Sequence, residues 1–298
     1  MNTRIRITLL ALSTALLSIG ANAQTFPTRP MRILVPLAPG GGADSVTRNL
    51  AASFSEAFAQ TVVVDNRPGA GSLVALQTLA DAAPDGHTLM MITGTTVIYP
   101  LLYPSKLDPV RDFAPVSQVT AQGYVLVAHP TLPVKTATDL VKYAKANPEK
   151  LTYASSGIGS PIHMTTELFQ IATGTKMTHV PYKGMGAAYA DLVGGRISFS
   201  FATIISAQQH IKAGRLRALG VSMGKRAPAM PETPTMAEAG IPGVTVRLLV
   251  DSNGDGVYGG AGDDVVGASI GNDLVYGGDG NDTINGGGYS NEGDTLFG

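Results

Sequence analysis

Along residues 24–246, short apolar runs alternate with stretches whose apolar positions recur at helical spacing, and glycine, proline or asparagine separates them. The first run, 31–37, ends at Pro39 and three glycines; the next stretch, 44–58, carries Val46, Leu50, Phe54 and Phe58 on one helical face. Further strands are predicted over 61–64, 87–92, 125–128, 151–154, 177–180, 197–201 and 216–221. Helices are predicted over 71–83, 137–146, 162–172, 187–193 and 207–213. Such a βαβ alternation predicts an α/β fold of parallel sheets covered by helices on both faces. Ligands of such folds sit beyond the carboxyl ends of the strands, where loop amides and helix starts gather.

The ends of the chain depart from this pattern. Arg4 and Arg6 precede an apolar stretch, 7–19, too short to span a bilayer, and Ala21-Asn22-Ala23 has the small-x-small form of a cleavage site. An export signal over 1–23 is therefore expected, with a mature chain starting at Gln24 in the periplasm or beyond it. Charge divides the remainder. Of 22 acidic residues, nine lie from Leu248 onward, where Lys and Arg are absent, so 13 acidic face 21 basic residues before that point. A basic body thus carries an acidic, glycine-rich tail, the asymmetry of a composite chain.

Candidate chemistry lies in the strand-end loops. In Pro39-Gly40-Gly41-Gly42-Ala43-Asp44 the glycines let backbone amides approach a ligand, and a helix start directs free N–H groups at it. An anion is the natural guest; a tight turn capped by Asp44 or Ser45 is the alternative. Ser155-Ser156-Gly157-Ile158-Gly159-Ser160 offers hydroxyls, with Ser160 and Pro161 also suited to begin a helix. Thr93-Gly94-Thr95-Thr96 and Tyr182-Lys183-Gly184 are similar. No Gly-Lys-Ser/Thr or Gly-x-Gly-x-x-Gly pattern points to a nucleotide, and no nucleic-acid partner is expected. Cysteine is absent, and His87, His129, His163, His179 and His210 lack metal-pair spacing. No Gly-x-Ser-x-Gly elbow accompanies the serines, so no enzyme is expected.

The ordered motifs carry a resemblance. Arg29–Pro36 with Gly40–Asp44, Val62–Gly71, Pro84–Leu89, Asp112–Val116, Ser155–Ser160, His179–Gly184, Asp191–Gly195 and Pro234–Gly243 resemble the Bug-type substrate-binding proteins of tripartite tricarboxylate transporters. The resemblance implies a two-lobed, type II periplasmic-binding-protein-like fold without catalysis. Its ligand is a small carboxylate held between the lobes, and its partners are membrane transporter subunits. It places ligand contacts on Gly41, Gly42, Ala43, Asp44, Thr93, Ser155, Gly157, Ser160 and Thr203. A first lobe over 24–124 and a second lobe with crossover over 125–246 are expected. Past Val246 the family's Trp-Gly stretch and closing elements are missing, which implies a C-terminally truncated and incomplete first lobe.

From Val250 a nine-residue period takes over. Asp255, Asp264, Asp273 and Asp282 recur at position six, and Val257, Val266, Val275 and Ile284 at position eight. Gly259–Asp264 and Gly277–Asp282 resemble the RTX, or hemolysin-type, calcium-binding repeat. That resemblance implies a short parallel β-roll over 250–298, with Ca²⁺ on the four aspartates and, at two repeats per coil, residues 18 apart stacked. A second expectation follows from it: a calcium-dependent secreted structural or adhesive protein.

Overall fold

The computed structural model describes residues 26–120 and 123–244, and four strands in the C-terminal segment. The first lobe is built on three parallel strands, β1 (Met31–Val35), β2 (Val62–Asn66) and β3 (Thr88–Met90), in the order β2-β1-β3. Its helices are α1 (Gly42–Phe58), α2 (Leu73–Ala80), which follows a 3-10 turn at Ala70–Ser72, and α3 (Gly94–Leu102). The buried cluster here is small, with Met31, Ile33, Ala51 and Val62 at its centre. Leu101 and Val116 are 82 % and 81 % exposed, and β3 lies at the sheet edge.

The second lobe holds β4 (Tyr124–Ala128), β5 (Thr152–Ser155), β6 (Thr178–Pro181), β7 (Phe199–Thr203) and β8 (Arg217–Val221) in the order β6-β5-β7-β4-β8. Four helices cover it: α4 (Ala137–Ala146), α5 (Pro161–Thr173), α6 (Met185–Val193) and α7 (Ile204–Lys212). Local chemistry sets their ends. Thr136 and Asp139 form a reciprocal capping box at the start of α4. Ser160 caps α5 with Pro161 at its first position, and Gly174, in left-handed conformation, ends it. The main core sits here, around the fully buried Leu126, Tyr153, Phe199 and Phe201.

Two sequence expectations need correction. The second sheet is mixed, since β4 runs antiparallel to both β7 and β8. Apolar runs report that a strand is buried on both faces, but not its direction. β4 arrives from the other lobe without a crossover helix and inserts between strands that are parallel to each other. The segment after β3 is also a helix, α3, although four β-branched residues and Pro100 disfavour one. A Thr93–Thr96 capping box starts it.

In the C-terminal segment, β9 (Val265–Ala268) pairs in parallel with β11 (Thr283–Gly286), Val265 opposite Thr283, an offset of 18 residues. β10 (Leu274–Tyr276) pairs likewise with β12 (Thr295–Phe297), Leu274 opposite Thr295. The expected export signal and the four repeat aspartates, Asp255, Asp264, Asp273 and Asp282, lie outside the described residues. Among the described residues, no helix is long and apolar enough to cross a membrane.

Candidate functional site

The lobes meet along a tight seam. Ala38 donates its N–H to the Lys183 carbonyl at 2.8 Å. Gly41 lies against Gly186 of α6, and a Cβ on Gly42 would fall 2.3 Å from Thr203 Oγ1. Glycine is required on the α6 side of this contact, because a Cβ on Gly186 would stand 1.7 Å from the Pro39 carbonyl oxygen. The loop is shaped by Asp44, whose buried carboxylate accepts the Gly40 N–H at 2.9 Å and the Arg48 guanidinium at 3.0 Å. Burial raises its pKa, but the Arg48 and Gly40 hydrogen bonds outweigh that and hold the carboxyl below its ordinary range. What this loop offers an anion is therefore main-chain N–H, since the Asp44 side chain is engaged within the loop.

Beside the seam lies a cavity of about 280 Å³. The first lobe contributes Pro36 and Leu37 after β1, the turn Gly69–Ser72, and Thr95 and Tyr99 of α3. The second contributes Ser156–Ile158 after β5 and Pro181–Lys183 at the end of β6. The chain enters it from the carboxyl ends of β1, β2, β3, β5 and β6, as the fold class dictates. Among the described residues, the lining has one cation, Lys183, and no carboxylate. At about 30 Å³ per water-sized group it has room for roughly nine, the size of a small organic acid. A second hollow of about 290 Å³, by Ile204, Gln208 and Met223, has no cationic side chain in its wall.

The residues expected from sequence divide between wall, seam and support. Gly157 is in the cavity wall. Gly41, Gly42 and Thr203 are in the seam, with Ala43 and Asp44 following in the first turn of α1. Thr93 caps α3, and the next turn residue, Thr95, faces the cavity. Ser160 accepts the His163 N–H at 3.2 Å as the cap of α5. Ser155 is fully buried; its Oγ accepts the Gly157 N–H at 3.1 Å and lies 2.6 Å from His179 Nε2.

Sequence reasoning missed the turn at Gly69–Ser72 and Tyr99. Its signal is the Pro68-Gly69-Ala70-Gly71 run, whose glycines permit such a turn. Gly71, at φ +58, packs under the Tyr99 ring, where a Cβ would be 1.9 Å from the ring carbons. Ser72 follows at φ 84, its hydroxyl 98 % buried with its residue and without a protein hydrogen-bond partner. A buried hydroxyl left unpaired costs about 1–3 kcal/mol, and a left-handed serine costs more.

Comparison with known proteins gives one consistent answer. The family pattern described as "Tripartite tricarboxylate transporter family receptor" matches residues 46–251. BugT of Bordetella pertussis is 36 % identical over 237 residues, covering 78 % of this chain and 72 % of BugT. A Rhodopseudomonas palustris protein solved with adipate superposes with a TM-score of 0.70 at 34 % identity, over 74 % of this chain and 75 % of its own. MatC from the same organism, with bound malate, gives 0.69 at 32 % identity, over 74 % and 76 %.

Proposed function

This chain belongs to the tripartite tricarboxylate transporter receptor family, and from that membership we propose that it captures a small carboxylate in the periplasm and presents it to membrane transporter subunits. The observation that carries the reading is the interlobe cavity, walled by glycine-rich loops and helix starts with the cation Lys183 among them. Main-chain N–H groups and a lysine favour an anion. Relatives solved with adipate and with bound malate support a ligand of that size. Gly157 contacts the ligand; Ser155, Ser160 and Thr93 hold the loops that do. Gly41, Gly42, Ala43, Asp44 and Thr203 form the seam that closes over it. No bond is made or broken; the receptor works by closing its lobes on the solute and exposing the closed form to the transporter.

Thermal melting with a panel of carboxylates tests this. A ligand at about 100 times its Kd adds about 2.7 kcal/mol, which lifts the melting temperature by roughly 5–10 °C in a chain of this size. If no mono-, di- or tricarboxylate moves the melting curve, the reading is wrong.

The C-terminal segment has a reading of its own. Asp264 and Asp282 directly precede strands that pair at Val265 and Thr283, and Asp255 and Asp273 share the same 18-residue spacing. Hard oxygen donors repeated in register at the turns of a coil suit Ca²⁺, which here would hold the coils together. Calcium is then expected to increase β-structure by circular dichroism, reversibly with a chelator, and magnesium to do much less. A spectrum indifferent to both ions would remove the metal from the account. The relatives are transport receptors, which gives no support to the expectation of a secreted structural or adhesive protein.

A further inference from the structure

The basic excess of the body belongs to one lobe. Residues 26–120 carry six Lys and Arg against seven Asp and Glu, whereas residues 124–244 carry 12 against six, a net of +6. Six of these 12 cations gather at one pole of the second lobe, where the chain enters the amino ends of β5, β6, β7 and β8. Those four strands share a direction, since β5 is parallel to β6 and β7 and β4 is antiparallel to both β7 and β8. Lys145 and Lys212 are in the last turns of α4 and α7. Lys150, Lys176, Arg196 and Arg215 lie in the connections that lead into the strands, and all six are exposed. The connections touch: Glu149 donates its N–H to the Lys176 carbonyl, and Ser198 donates to the Thr152 carbonyl. Among the described residues, two carboxylates pair with these six cations, Glu149 with Lys176 at 3.0 Å and Asp191 with Arg196.

A cation in the last turn of a helix complements its dipole, which accounts for Lys145 and Lys212. Lys150 and Arg215 lie beyond the helix ends, where crowding like charges costs self-repulsion. A polyanion would offset it, and the chain supplies one. The second-lobe core runs to the buried Val244. Seven residues further on, at Asp251, begins a stretch to Asp294 with nine Asp and Glu and no Lys or Arg. Acidic runs of this kind are commonly interaction segments, and tethering to the lobe raises the effective concentration to roughly millimolar.

We propose that this basic pole is the docking surface for the chain's own acidic stretch, residues 251–294. The interlobe cavity opens at the carboxyl ends of β5 and β6, so the pole is at the opposite end of the lobe from it. Docking there keeps nine tethered carboxylates away from a cavity that favours anions. Exposed ion pairs contribute only about 0.2–1 kcal/mol each, so the contact depends on several acting together and weakens with salt. The docking stands without the carboxylate or the calcium reading, and its failure leaves both untouched.

The test is zero-length carbodiimide cross-linking of the mature chain, mixed as unlabelled and nitrogen-15-labelled protein and read by mass spectrometry. In about 20 mM salt charges act over about 20 Å, and in about 1 M salt over about 3 Å. At low salt, carboxyls of 251–294 should link within one molecule to Lys145, Lys150, Lys176 and Lys212. Those links should outnumber links to Lys106 or Lys225 by about fivefold and fall by about as much at high salt. Lys150→Glu, Lys212→Glu and Arg215→Glu together should remove most of the remaining links at Lys145 and Lys176. If that protein does not fold, the three Gln substitutions should lower the same links about twofold. Links spread evenly over all lysines, links centred on Lys183, or links only between labelled and unlabelled molecules overturn the proposal. So does a wild-type protein whose pole binds phosphatidylglycerol vesicles through these residues while 251–294 links nowhere, which would assign the pole to a membrane surface.

Discussion

Gly186→Ala is expected to cost at least about a hundredfold in carboxylate affinity, near 2.7 kcal/mol, with the melting temperature of the free protein unchanged within about 2 °C. Gly186 is the second residue of α6, and a Cβ there would stand 1.7 Å from the Pro39 carbonyl oxygen. The obstacle is backbone, so no side-chain rotation relieves it. Either the loop or the helix must retreat, and the Ala38–Lys183 hydrogen bond and the neighbouring cavity walls retreat with it. The helix itself gains, because alanine is favoured over glycine inside helices by up to about 1 kcal/mol. Loss of binding without loss of folding is thus the signature of a blocked seam. Gly174→Ala is the matched control: at φ +60 with open space around it, it should lose about 1 kcal/mol of stability and no affinity. Calorimetry and melting on the two variants decide it. A Gly186→Ala protein that binds like wild type would show that ligand capture does not use this contact.

Much of this arrangement is legible in the sequence, and what is not has physical reasons. Strands ended by glycine loops announce where ligand amides lie, and Ser160-Pro161 and Gly174 mark both ends of α5. The seam is invisible because Gly186 looks like any helical glycine until Pro39 is seen against it, 147 residues away in sequence. The same limit applies to β4, whose buried run Val125–Ala128 carries no record of direction. Ser155 reads as a ligand hydroxyl because serine in a strand-end loop usually faces solvent; here it is turned inward to His179. Ser72 is hidden for a different reason: it falls inside the helix predicted over 71–83, and only its backbone dihedral, φ 84, and its unpaired hydroxyl set it apart.

That inward turn of Ser155 makes the second lobe sensitive to acid. His163 of α5 and His179 of β6 stack with ring centroids 4.1 Å apart, against the Tyr153 ring at 4.8 Å from His179. The pair pins the loop at two points: His179 Nε2 is at Ser155, and His163 Nδ1 accepts the Gly159 N–H at 3.2 Å. Tyr153 donates its hydroxyl to Glu167, whose carboxylate lies 3.7 Å from His163 Nε2 and attracts a proton to the stack. Burial nonetheless wins. It pushes His179 down to about 4, helped by repulsion from His163, and holds His163 below its ordinary value.

An unfolded histidine takes its proton near pH 6.5. Between that pH and about 4 the unfolded chain therefore binds more protons than the native one, and stability falls as pH drops through this window. Discounted for the partly buried ring, His179 accounts for about 1–2 kcal/mol between pH 7 and pH 4. His163 and His210, also depressed, add to the same slope. Hydrogen bonds hold carboxyls such as Asp139 and Asp191 below their ordinary range of about 3.9, so their share is lost mainly below that window. Ligand affinity should decline alongside, because protonating His163 Nδ1 removes the acceptor for Gly159 and loosens the loop that carries Gly157. Urea unfolding of wild type and His179→Asn at pH 7 and pH 4.5 measures this. The variant should be less stable at pH 7 and lose clearly less on acidification. Parallel losses in the two proteins would place the acid sensitivity elsewhere than in this stack.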